Sequence, residues 1–193
     1  MLRLAVIFES SPFDRKGLFN AVHNRIKHLS SIGECEIDVY CIHSHDNAFT
    51  RRVRHTLDVP YVEDTLVDDV RYRLLWYDFS IIDHILVYKL HKKPLFFSRF
   101  VSRILDLFKG YDCILAHSFT GGLLALEASR RFGTPYFVTW HGSDIHTHPV
   151  RNKLIRKDTR MVMEAATCNF FVSKALMLKS DELTVKAEKK VLY

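Results

Sequence analysis

Residues Asp112–Asp144 read DCILAHSFTGGLLALEASRRFGTPYFVTWHGSD, two short apolar runs separated by one helix-length segment. Cys113–His117 (CILAH) and Tyr136–Trp140 (YFVTW) are rich in branched and aromatic residues and bounded by turn formers, as buried strands are. Gly121–Phe132 between them reads as a helix closed by Gly133, where a left-handed cap is expected. Strand, helix and strand in immediate succession require a crossover and therefore parallel pairing. The segment predicts an α/β sheet.

The same grammar extends in both directions. Leu2–Glu9 reads as a buried strand, Gly17–Ser31 as a helix with Leu18, Phe19, Val22, Ile26 and Leu29 on one face, and Glu36–Ile42 as a second strand. Pro94 opens a helix whose apolar stripe is Phe97, Val101, Ile104 and Phe108. Beyond Asp144, Arg151–Ala166 reads as a helix and Cys168–Val172 as a strand, with Ser173 starting another helix. Arg51–Asp69 is charged and mixed and Tyr72–Leu90 is apolar but interrupted, so neither is assigned an element. The expected architecture is a doubly wound, mostly parallel sheet with helices on both faces. At 193 residues and 48% apolar composition, the chain fits one domain with one substantial core.

Composition narrows the function. Leu4–Phe8 is too short for the apolar region of a signal peptide, and no apolar run approaches the ~20 residues of a membrane span, so a cytoplasmic protein is expected. Cys35, Cys41, Cys113 and Cys168 are scattered, without a CxxC pair, and are expected buried and reduced. Two stretches hold more than the whole net charge of +6: Lys89–Lys109, with one acid, Asp106, and Arg151–Arg160, with one, Asp158. Such stretches are solvated faces or contacts for anionic partners; no recognised nucleic-acid motif accompanies them, so no nucleic-acid partner is expected.

In a doubly wound sheet, ligands bind beyond the carboxyl ends of the strands, where strand order reverses. The expected strands end in ESSPFDRKG, HSFTGG, HGSD and SKA, which bring hydroxyls, imidazoles and helix starts to one rim. Gly17, beside Arg15 and Lys16, and the pair Gly121–Gly122 stand at expected helix starts, where backbone N–H groups can face a phosphate. Neither GxGxxG nor GxxxxGK[ST] is present. His141, His146 and His148 lack a matching carboxylate or cysteine pair, and no metal is expected. His141 ends a strand ahead of Gly142: it either caps that strand or orients a polyhydroxylated substrate, and its place on the rim favours the second. His146 and His148 are expected in a solvent-facing loop.

The order LAVIFESSPFDRKG (4–17), then 112–144, then MEAATCNFFVSKAL (163–176) resembles the N-terminal Rossmann-like domain of the retaining glycosyltransferases of family 4, of GT-B fold. The resemblance implies a hexosyltransferase of glycan or polysaccharide synthesis that takes a nucleotide-sugar donor and a glycan or lipid-linked acceptor, with the leaving diphosphate assisting the acceptor hydroxyl and no metal or other cofactor. It implies that Gly17 approaches the donor diphosphate and that the catalytic-site residue His141 touches the transferred sugar, with His117 on the neighbouring strand end; Ser118, Gly142 and Asp144, on the same rim, are expected to bind substrate, Asp144 on the acceptor side. The first loop has Lys16–Gly17 where the family has two glycines. The family's Glu–seven residues–Glu motif belongs to a C-terminal domain, and no two glutamates here stand eight apart. Residues 1–193 are therefore expected to be the acceptor-side half of a two-domain enzyme, inactive alone, with KKVLY beginning the crossing to the other half. The basic, aromatic stretch KLHKKPLFF (89–97) is expected to permit peripheral contact with an anionic membrane at the inner face. A non-catalytic α/β module that binds a phosphorylated partner is the alternative.

Overall fold

The computed structural model describes residues 1–13, 15–46, 48–54 and 59–192. Strand β1 (Leu2–Glu9) is buried along both sides, as a central strand must be. It is followed by α1 (Gly17–Ile32), β2 (Cys35–His45), α2 (Ala48–Arg54), β3 (Asp64–Val67), β4 (Val70–Asp78), α3 (Ile81–Tyr88) and α4 (Leu95–Ile104), which tightens into a 3-10 turn over Leu105–Phe108. The second half contains β5 (Cys113–His117), α5 (Ser118–Phe132), β6 (Tyr136–Trp140), α6 (Ser143–His146), α7 (His148–Arg151), α8 (Lys153–Ala165), β7 (Cys168–Phe171), α9 (Lys174–Ser180) and β8 (Lys189–Val191).

The eight strands lie in the order β3-β4-β2-β1-β5-β6-β7-β8, and every pair is parallel except β3 with β4. The chain winds outward from β1 through β2 to β4 and returns to the other side of β1 as β5. Strand order therefore reverses between β1 and β5. Alternate residues of β1 feed two cores: Val6 and Phe8 pack with Phe19, Val22 and Ile26 of α1, whereas Ala5 and Ile7 join the larger core with α4, α5 and α8. This is the doubly wound sheet with helices on both faces that the sequence predicts.

Several elements depart from expectation for identifiable reasons. α5 begins at Ser118, three residues before Gly121, so the two glycines lie in its body. A Cβ on Gly121 would stand 2.7 Å from the carbonyl oxygen of Ile7, and one on Gly122 2.7 Å from Cγ1 of Val162. These glycines admit the helix to β1 and α8; they are buried, and packing replaces the anion-binding role expected of them. α8 starts at Lys153 because the Asn152 side chain accepts from the N–H groups of Leu154 and Ile155 at 2.9 and 3.3 Å. In α4 the deepest residues are Phe100 and Ile104, while Phe97 and Val101 are half-buried; Phe96 stacks on Tyr77 with ring centroids 4.4 Å apart. Lys189–Val191, expected to lead away from the domain, instead pairs with β7 as the outermost strand. The cysteines are free, Cys41 and Cys168 buried and Cys35 and Cys113 half-buried.

The region left unassigned holds β3, β4 and α3. The β3–β4 hairpin turns on Asp68 and Asp69, at φ 46° and 66°, and is pinned to α1 by His23, whose ring nitrogens lie 2.5 Å from the Tyr72 hydroxyl and 3.2 Å from Asp68. α3 is fixed by Asp83. One oxygen of its carboxylate accepts from the N–H and hydroxyl of Ser80 at 3.1 and 2.6 Å; the other accepts from the N–H of Leu95 at 2.6 Å, capping α4 where Pro94 cannot.

Gly121→Ala should lower the unfolding free energy by about 2 kcal/mol or more, because the new methyl meets backbone that cannot rotate aside. Gly17→Ala, at an open site, should change it by less than about 1 kcal/mol. Urea unfolding of the two variants checks the contrast.

Candidate functional site

The reversal between β1 and β5 puts Glu9 beside His117 and Ser118 at the carboxyl edge of the sheet. A cleft of about 330 Å³ opens there. Its polar lining includes Glu9, Ser118, Thr120, Asp144 and His148, and its apolar wall is mainly Tyr77, Phe79, Tyr88, Phe96, Phe97 and Phe119. Glu9 is held by the hydroxyls of Tyr77 and Thr120, which donate to its two oxygens at 2.9 and 2.5 Å. The side chains around it, Tyr77, Phe79, Phe96 and Leu123, belong to the larger core, so the cleft lies on the α4, α5 and α8 side of the sheet.

His117 and His141 form the second part of the site. Both end strands, and Nδ1 of His117 lies 3.0 Å from Nε2 of His141, so one ring donates and the other accepts. His117 is 2% exposed and meets the ring of Phe8, which places it on the α1 side. Arg25 of α1 reaches the same place and donates to Oγ1 of Thr139 at 3.0 Å. Burial pushes both imidazoles below the ordinary histidine range, His117 well below and His141 to about 4, with the Arg25 charge acting in the same direction. Two neutral rings suit the contact, because with both protonated two N–H groups would face each other.

Trp140 fixes the strand beneath His141. It is fully buried, and its indole N–H donates to Oδ1 of Asn169 at 2.9 Å, while the Asn169 amide donates to the carbonyls of Met163 and Glu188. The chain then turns through Gly142 at φ 136°, a conformation that excludes a side chain. The Gly142 carbonyl accepts from the N–H groups of Ile145 and His146, starting α6.

Asp144 joins the two parts. Its buried carboxylate accepts from the backbone N–H of His141 at 3.4 Å and bonds the N–H of Phe119 and the Ser118 side chain. It thereby closes the N-terminus of α5 with a protein carboxylate. Burial pushes its carboxyl above the usual range, against the pull of these hydrogen bonds. Ser118, at φ 64°, makes the tight passage from β5 into α5.

The structure thus brings His117, Ser118, His141, Gly142 and Asp144 to adjacent strand ends and divides them: Ser118 and Asp144 line the cleft, and His117 and His141 pair beside Arg25. Gly17 is the exposed first residue of α1, next to Leu18 of the cleft lining. His146 and His148 are exposed, in short helical turns and not in a loop, and His148 borders the cleft. Among the described residues no three His, Cys, Asp or Glu side chains converge as metal ligands. Sequence reasoning missed Glu9, Arg25 and the aromatic wall. An arginine between the buried Val22 and Ile26 is the one signal that could have marked Arg25.

Residues 35–192 match the glycosyl transferase 4-like domain family. No curated protein matches the chain. Among solved structures it is similar to sucrose-phosphate synthase from Thermosynechococcus elongatus, with TM-score 0.64 and 14% identity over 99% of this chain and 47% of that one. Similar too are Anabaena HepE, solved with UDP and glucose, at TM-score 0.58, 12% identity and 98% of this chain against 44% of that one, and the lipopolysaccharide outer core galactosyltransferase WaaB, at 0.54, 13%, and 100% against 45%. The chain spans less than half the length of each of these proteins.

The fold predicts the charge state of the site. A histidine whose folded pKa is depressed binds fewer protons folded than unfolded, so His141 costs stability as pH falls from its ordinary 6.5 towards about 4. NMR of His141 should show no titration from about pH 8 to about 5.5, and unfolding midpoints should drop below about pH 6; a histidine midpoint near 6.5 would place an imidazolium at the rim. With a Rossmann-like half of the GT-B fold, a cleft at its strand reversal and a family match over most of its length, the chain belongs to the glycosyl transferase 4-like family.

Proposed function

We propose that residues 1–193 form the acceptor-side domain of a retaining hexosyltransferase that moves a sugar from a nucleotide-sugar donor to a glycan or lipid-linked acceptor. The observation that carries this reading is the cleft at the strand reversal, bordered by Ser118 and Asp144, with the hydrogen-bonded His117–His141 pair at the same strand ends. The UDP and glucose bound by HepE support a nucleotide-sugar donor, and in this proposal a second, C-terminal domain holds the nucleotide.

In this scheme the acceptor hydroxyl forms the new bond to the anomeric carbon as the bond to the diphosphate breaks, and the acceptor proton passes to a diphosphate oxygen. Positive charge grows on the sugar ring during transfer. A neutral imidazole at His141 can bond a sugar hydroxyl without repelling that charge, and Arg25 and burial keep it neutral. His117 fixes the His141 ring, and Asp144 fixes its backbone. Gly17 leaves the start of α1 open to the donor diphosphate, and Ser118 and Asp144 border the acceptor. No step is assigned to a metal ion.

The 193-residue chain alone should fold and give no transfer or hydrolysis with nucleotide sugars; turnover by the pure chain would overturn the two-domain reading. Joined to its C-terminal domain, His141→Ala should lower kcat/KM about tenfold or more in a protein that still folds, at a stability cost of about 1–3 kcal/mol because the buried His117 loses its partner. Unchanged kinetics would leave His141 a strand cap.

A further inference from the structure

α3 displays an apolar face that no other element among the described residues covers. Ile82, Ile85 and Tyr88 are 56%, 45% and 53% exposed, and the same surface continues through the exposed Leu90 and Leu95. Its sole acid, Asp83, is turned inward at 3% exposure and consumed in capping α3 and α4. Lys89, Lys92 and Lys93 stand exposed in the middle of this apolar surface. The Asn152 side-chain amide donates to the carbonyl of Val87 at 2.8 Å, which brings the start of the second basic stretch, the exposed Arg151 and Lys153, against the end of α3. Two basic segments some sixty residues apart in the chain thus meet around one rigid apolar helix. Phe96, part of the expected docking stretch, is committed inward by stacking on Tyr77, and Phe100 just beyond that stretch is buried.

We propose that the outer face of α3, with Leu90, Leu95 and the cations Lys89, Lys92, Lys93, Arg151 and Lys153, docks on an anionic lipid surface. Charge complementarity decides the occupant. Apolar side chains set among exposed lysines, of which Lys93 also feels Asp158, match the boundary between acyl chains and acidic headgroups, where the apolar groups enter and the ammonium groups stay at phosphate depth. A second copy of this face would set lysine against lysine. The contact is adsorption, since no helix among the described residues is long and apolar enough to cross a membrane. Val87, Tyr88, Lys93 and Pro94 also wall the cleft, so docking would hold its mouth at the lipid surface, where a lipid-linked acceptor presents its sugar. Vesicle binding needs no donor or acceptor and is therefore measured independently of the transferase reading.

The test is co-sedimentation of the 193-residue chain with vesicles of phosphatidylcholine alone or with about a third phosphatidylglycerol. Binding should require the anionic lipid and weaken at about 0.5 M salt. Replacing Lys89, Lys92 and Lys93 together by Gln should lower partitioning about a hundredfold, and the double variant Ile82→Ser, Ile85→Ser about tenfold or more, with unchanged melting temperatures. Equal binding to both vesicle types, or binding indifferent to the Ile82 and Ile85 changes, would overturn the proposal. So would a dimer in sedimentation velocity that those changes dissolve, with no vesicle binding.

Discussion

Helix α5 must cross β1 closely enough to bring its first turn over the strand ends, and it does so at Gly121, where a single methyl would meet the Ile7 carbonyl. Much of the site hangs on that approach. It puts Thr120 within reach of Glu9, Phe119 and Ser118 within reach of Asp144, and the aromatic ring of Phe119 into the cleft wall. A larger residue would lift the helix start and draw Ser118 and Phe119 away from Asp144, the carboxylate of α6 that links the β5 and β6 loops. The constraint is steric, but its product is the arrangement of polar groups.

What could be read from the sequence was whatever repeats with a period. β1, β5 and β6 are short apolar runs whose bounds in the structure are those expected, because central strands are buried on both sides and little else has that composition. Residues 43–93 resisted for the opposite reason. The β3–β4 hairpin turns on two aspartates in left-handed conformations instead of the Asn-Gly or Asp-Gly that would mark it, and α3 is apolar on its solvent face, so neither period nor polarity separates inside from outside. The rim was legible as a set of strand ends. Which rim residues meet was not, since the two sides of the sheet alternate at single-residue intervals and the neighbours of His117 come from α1 and β6.

The electrostatic character of the site follows from the same packing. His117 and Asp144 lie almost out of water and His141 is half-buried, and each is pushed towards its neutral form by burial. Arg25 brings a permanent charge to the two imidazoles, about two turns along α1 from Gly17 and outside every motif. A site organised this way reads hydroxyl groups by hydrogen bonding and leaves strong ionic contacts to its surroundings.

The two ends of the sheet have a bearing on how the domain behaves among its own copies. An eight-stranded sheet exposes two rows of unpaired backbone groups, each a template for strand addition. One row here belongs to β3, four residues long and closed by the Asp68–Asp69 turn; the other belongs to β8, three residues long with Lys189 and Lys190 on it. Edges this short offer a second sheet little to extend, and on β8 the exposed Lys190 adds a charge while Lys189 is turned to Asp181. The length of the edge strands is thus one of the means by which a largely parallel sheet limits strand addition by its own copies.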